Sequence, residues 1–161
     1  MKEQILTTFT LSILMIVTLA ILGYAQDQDV PQSQVPSEIL NQFNSQFPDA
    51  TNVEWEMKGD LYNVEFEIGW IIDLGWNNDH EVWYNAASEM VKHKEDISPD
   101  ELPEPVNNRI KTDFNGYTID DLKRITDKGV VVYKMELNSS QQQDWDVVID
   151  DKGDVVNKKS D

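Results

Sequence analysis

Phe47-Pro48-Asp49-Ala50-Thr51-Asn52-Val53-Glu54-Trp55-Glu56-Met57-Lys58-Gly59-Asp60-Leu61-Tyr62-Asn63-Val64-Glu65-Phe66 holds a helix stop, two alternating strands and the turn between them. Pro48 ends the helix because proline supplies no N–H and disfavours helical geometry before it. Val53, Trp55 and Met57 alternate with Glu54, Glu56 and Lys58. After Lys58-Gly59-Asp60, Tyr62, Val64, Phe66 and Ile68 alternate with Asn63, Glu65 and Glu67. A period of two with one apolar and one polar set predicts an antiparallel sheet, buried on one face and solvated on the other.

Working outward, the same order of elements occurs twice. Upstream, Ile39, Leu40, Phe43 and Phe47 fall at helical spacing behind Val35-Pro36, where a proline in the first turn costs nothing. Leu102-Pro103 then opens Val106, Ile110 and Phe114, closed by Asn115-Gly116. Tyr133-Lys134-Met135-Glu136-Leu137 answers the Tyr62 strand, and a hairpin turning at Asp150-Asp151-Lys152-Gly153 answers one turning at Asn85-Ala86-Ala87-Ser88. The offset is 67 residues from Pro36 to Pro103, 71 from Tyr62 to Tyr133 and 65 from Val82 to Val147. The first copy therefore carries six extra residues, within Gly69 to Asn78, where the second has the plain polar turn Asn138 to Gln143.

Phe47-Pro48-x-Ala50-Thr51-Asn52-Val53-Glu54-Trp55, the Tyr-x-Val-Glu-Phe strand and the closing hairpins together resemble the PepSY-like, beta-lactamase-inhibitor-like proteins exported by Bacteroidota. The resemblance covers Val35 to Lys159. It implies an α+β fold of two tandem repeats, each a helix followed by about four antiparallel strands, with the helices packed on one face of the sheet. It also implies a non-enzymatic binding or inhibitory role and carries over no catalytic residue. The chain departs from the family pattern at the Trp70 to Trp76 insertion, and at Ser88, which stands where the second closing turn has Gly153.

Residues 1–25 read as a signal peptide: Lys2, an uncharged and mostly apolar run from Ile5 to Leu22, then Gly23-Tyr24-Ala25 as a small-residue cleavage site. Residues 26–34 are polar and aperiodic, which predicts a disordered leader. The first repeat is expected over 35–97 and the second over 98–161, as one continuous domain. A periplasmic or secreted location follows from the signal. The absence of cysteine excludes a disulfide framework, a thiol nucleophile and a lipidated N-terminal Cys. A net charge of −17 disfavours nucleic acid and anionic membranes as partners.

Catalysis has little to draw on. His80 and His93 are the only histidines, and no Gly-x-Ser-x-Gly elbow occurs. Asp79-His80-Glu81 and Asp150-Asp151-Lys152-Gly153-Asp154 are oxygen-rich stretches considered for calcium, but neither has EF-hand spacing, and turn chemistry explains them better. Zinc is disfavoured for want of HExxH and Cys, so neither a cofactor nor a metal ligand is assigned. Of five tryptophans, Trp55 and Trp145 are in phase with the apolar set, whereas Trp83 is out of phase and expected on the wet face beside Glu65 and Glu67. Trp70, Ile71, Leu74 and Trp76 would form an apolar wedge, and Trp83 with Glu65 and Glu67 a binding platform, since exposed tryptophan is enriched at binding hot spots. The function expected is an exported, non-catalytic module binding an unidentified protein partner, with inhibition of a secreted or envelope enzyme as its specific form. The alternatives are an acidic calcium binder and a structural envelope protein.

Overall fold

The computed structural model describes residues 28–69 and 78–160. Nine strands form one antiparallel sheet whose spatial order is the order of the chain. They are β1 (Gln28–Asp29), β2 (Ala50–Lys58), β3 (Leu61–Ile68), β4 (Asp79–Tyr84), β5 (Met90–Asp96), β6 (Thr118–Asp127), β7 (Val130–Asn138), β8 (Trp145–Asp150) and β9 (Val155–Ser160). Two helices, α1 (Ser37–Gln46) and α2 (Glu104–Asp113), precede β2 and β6. Among the described residues no helix is long and apolar enough to cross a membrane.

This corrects the expected α+β arrangement of tandem helix-plus-strand repeats. The described residues are mostly sheet, and the two α-helices among them are ten residues each. The helix openings at Val35-Pro36 and Leu102-Pro103 recur, but the helices they open are short beside the strands. Lys92 to Asp96 of β5 pairs with Lys123 to Asp127 of β6, so the ladder runs through the middle of the chain. The leader expected to be disordered is ordered from Gln28: β1 pairs with Glu56 and Met57, and a 3-10 turn follows at Gln32–Gln34.

Side-chain chemistry places both helices on one face. In α1, Ile39 and Phe43 lie one turn apart and are buried against Trp55, Val64, Phe66, Val82 and Tyr84. Phe43 meets Trp55 edge-on at 5.3 Å and Phe66 edge-on at 5.0 Å. In α2, Val106 and Ile110 cover Leu122, Tyr133, Met135, Leu137, Val147 and Ile149. Each such side chain stabilises the fold by about 1.5–3 kcal/mol on burial. The result is two apolar clusters on one face of a single sheet.

The two closing turns share one hydrogen-bond pattern. Asn85 Oδ1 accepts the N–H groups of Ala87 and Glu89, and Asp150 Oδ1 accepts those of Lys152 and Asp154. Ser88 (φ 63°) and Gly153 (φ 89°) take the left-handed position that this turn requires. The Ser88 departure therefore leaves the hairpin shape intact. The second turn also meets α2: Arg109 Nε donates to the Gly153 carbonyl at 2.7 Å.

Candidate functional site

The helix-free face carries the candidate site, and strand register sets its rows. Glu54, Glu65 and Glu81 lie abreast on β2, β3 and β4, with Lys94 next on β5. Carboxylates directly opposite one another repel, so this row is a local cost of the fold. Lys58 offsets part of it, with Nζ 3.2 Å from Glu56, 3.2 Å from Glu65 and 2.8 Å from Glu81. Lys94 meets Glu81 at 3.1 Å.

These contacts set the charges. Burial pushes the Glu81 carboxyl up, but hydrogen bonds from Lys58 and Lys94 outweigh it and hold Glu81 below the usual carboxylate range. Burial pulls Lys58 down, and its bonds to Glu81, Glu65 and Glu56 outweigh that, raising it well above an ordinary lysine. Burial raises Asp96 against the pull of Lys123. Beside the glutamate row a recess of about 420 Å³ opens, its acidic lining including Glu54, Glu65, Glu67, Asp79, Glu81 and Asp96. Lys94 and Lys123 are the cations in its wall. The β3–β4 connection leaves at Gly69 and returns at Asn78, at the Glu67–Asp79 end of this recess. An acidic recess on an open sheet can receive a partner's lysine or arginine side chain.

Glu65 and Glu67 are exposed on this face. Trp83 belongs to neither apolar cluster and pairs across the sheet with Asn63 and Lys92 on the helix-free face. It is only 9 % exposed, however, which corrects the expectation of a presented aromatic platform. The Lys92 ammonium sits 4.3 Å from its ring centroid and that of Lys58 5.9 Å, so lysine side chains cover the indole. Asn63 beneath is fully buried; its Nδ2 donates to Glu81 and to the Val82 carbonyl, and its Oδ1 has no partner. Trp70, Ile71, Leu74 and Trp76 lie outside the described residues.

The two stretches considered for calcium lie in a closing turn and in a strand. Asp150 Oδ1 is engaged by its own turn. Asp79-His80-Glu81 is not a turn but part of β4, so alternation sends His80 to the opposite face from its neighbours.

That opposite face holds a group sequence reasoning missed. Phe66, His80, Glu95, Arg124, Tyr133 and Ile149 form one cross-strand row from β3 to β8. A polar seam therefore separates the two apolar clusters. His80 Nδ1 lies 3.0 Å from His93 Nε2, and Arg124 Nε donates to Glu95 Oε1 at 2.8 Å. Burial lowers both histidines, which are therefore neutral at pH 7; Glu95 opposes the shift in each case. Burial raises Glu95, but the Arg124 hydrogen bond and the neighbouring His93 outweigh it and lower it overall. The only available signal was the pair of inward-phase histidines, and their register across β4 and β5 was not readable from one strand.

A family model described as "Putative beta-lactamase-inhibitor-like, PepSY-like" matches residues 24–75 and 72–157. Solved structures that share the fold include three from Bacteroides. A BLIP-like protein from Bacteroides fragilis is 19% identical, covering 86% of this chain and 89% of its own, with a TM-score of 0.60. A DUF2874 family protein from Bacteroides uniformis is 18% identical over 78% of this chain and 89% of its own, with a TM-score of 0.59. A Bacteroides eggerthii structure described as of "putative periplasmic proteins" is 18% identical over 78% and 88%, with a TM-score of 0.60. No curated protein matches the chain.

Proposed function

We propose, for a chain that belongs to the PepSY-like, beta-lactamase-inhibitor-like family, a non-catalytic protein-binding module of the bacterial envelope whose docking surface is the helix-free sheet face. One observation carries the reading: three glutamates stand abreast beside an acidic recess of about 420 Å³, although like charges in register oppose folding. A cationic partner would relieve that repulsion on binding, whereas the free protein relieves it only through Lys58 and Lys94. The net charge of −17 would steer a basic partner towards the face. Trp83, loosely capped by Lys92, would become a contact only if those lysines moved aside.

The BLIP-like description of the Bacteroides fragilis relative supports an inhibitor as the form this binding takes, with a secreted or envelope enzyme as target. The N-terminal signal and the periplasmic description of the Bacteroides eggerthii relative support the location. The apolar residues Trp70, Ile71, Leu74 and Trp76 join the proposal on sequence grounds, because their connection departs beside the recess. Capture from envelope and secreted fractions would be run with the chain from residue 26, a Glu65→Gln/Glu67→Gln variant and a Trp70→Ala/Trp76→Ala variant. A partner held by the wild type, released by moderate salt and lost with the glutamine variant supports the surface. Equal capture by the wild type and the glutamine variant refutes it, and loss with the tryptophan variant alone would move the site to the insertion.

A further inference from the structure

We infer that His80, His93 and Glu95 form a binding site for a divalent transition metal such as Zn²⁺, on the helix-bearing face between the two apolar clusters. One ligand atom from each residue lies within 4.8 Å of the other two. His80 Nδ1 and His93 Nε2 point at one another at 3.0 Å, and Glu95 Oε2 is 3.9 Å from His80 Nδ1. Zinc bound at about 2.0–2.1 Å from each nitrogen places them about 3.3 Å apart in a tetrahedral site. The imidazoles therefore need to separate by a few tenths of an ångström and to tilt so that both lone pairs meet at the ion, off the line that now joins the two nitrogens. The proton that now bridges them would be displaced by the ion.

The ligands are held in place by groups that do not bind the ion. Phe66 stacks on His80 at 5.1 Å with an interplanar angle of 11°, and Phe47 meets the His93 ring edge-on at 5.6 Å. Arg124 holds Glu95 Oε1 and leaves Oε2 for the metal, as the hydrogen-bonded outer partner of a ligating carboxylate does. The three side chains are 13–15 % exposed, so an ion has access and a fourth position remains for water or a partner's ligand. Two imidazoles and one carboxylate suit zinc, copper or nickel, whereas calcium prefers an all-oxygen shell. The position adds weight: with Arg124 and Thr126 these residues interrupt the apolar inward face, where a second apolar row would have joined the two cores.

The test is ZnCl₂ titrated into the metal-free chain by calorimetry at pH 7, with zinc-edge X-ray absorption on the wild-type complex. We expect one zinc per chain and two imidazole nitrogens at about 2.0–2.1 Å. His80→Gln and His93→Gln, each checked for native circular dichroism, should bind at least about tenfold more weakly. His80 and His93 are the only histidines and there is no cysteine, so the imidazole signal has one source. A wild-type complex without imidazole scattering overturns the proposal even if both variants misfold. Undiminished binding in the variants, or displacement of the zinc by equimolar calcium, also overturns it by assigning the ion to surface carboxylates.

Discussion

Replacing Gly153 by alanine and Ser88 by glycine should move stability in opposite directions, although the two residues occupy the same place in matching turns. At Gly153 (φ 89°) an added Cβ would lie 2.6 Å from the Pro105 carbonyl oxygen and 3.0 Å from its carbon, both backbone atoms near the start of α2. A left-handed alanine costs about 1–2 kcal/mol. Overlap with immovable atoms adds about 1–3 kcal/mol, and the stiffer unfolded chain returns about 0.4–1 kcal/mol. Gly153→Ala should therefore lose about 1–5 kcal/mol, equivalent to roughly 2–20 °C in melting temperature for a chain of this size. At Ser88 (φ 63°) the backbone strain is already present, and glycine relieves it at an entropic cost of about 0.5–1 kcal/mol. Ser88→Gly should gain about 0.5 kcal/mol. Urea unfolding followed by tryptophan fluorescence reads both as midpoint shifts at constant slope. A Gly153→Ala variant within about 0.5 kcal/mol of wild type, by this assay, would refute the reasoning, as would a Ser88→Gly variant equally destabilised.

Ile39→Ala should cost about 2–5 kcal/mol, the range for emptying a fully buried site, and thermal unfolding will show it. Lys58→Met should cost about 1–2 kcal/mol by leaving Glu56, Glu65 and Glu81 without their shared cation, and high salt should recover part of the loss. Tyr84 is fully buried with its hydroxyl donating to Gln46 at 2.8 Å, and burial holds its pKa well above the ordinary phenol value. A raised native pKa means that its contribution is complete below about pH 10 and declines as pH rises above that. Tyr84→Phe should start about 1 kcal/mol less stable and show a shallower alkaline decline in stability. Equal alkaline slopes in the two proteins would remove Tyr84 as the cause.

The strands most readable in the sequence were those whose inward side chains are apolar. Val53-Trp55-Met57, Tyr62-Val64-Phe66 and Tyr133-Met135-Leu137 announce β2, β3 and β7 through their period of two. Where β5 and β6 pair, the inward positions hold His93, Glu95, Arg124 and Thr126, so hydropathy shows no alternation there. Those two strands carry the ladder across the middle of the chain, where Lys92 to Asp96 pairs with Lys123 to Asp127. The same four polar residues hide the histidine cluster, whose partners meet only through register. Parity assigned Trp83 a face, but its burial depends on how Lys58 and Lys92 fold over it, and parity is silent about flexible side chains. The recess was foreshadowed by Glu65 and Glu67, while Asp79 and Asp96 reach it from strands distant in sequence.

Because spatial and chain order coincide in the sheet, every strand finds its partner in the next one made, the longest waits being those across the two helices, from β1 to β2 and from β5 to β6. Such a meander needs no crossover between distant strands, which favours faster folding than a sheet built on non-local pairings. A chain emerging N-terminus first can finish α1 with β2 to β5 before β6 exists. That cluster then offers the edge of β5 as a template on which the rest of the sheet is laid down.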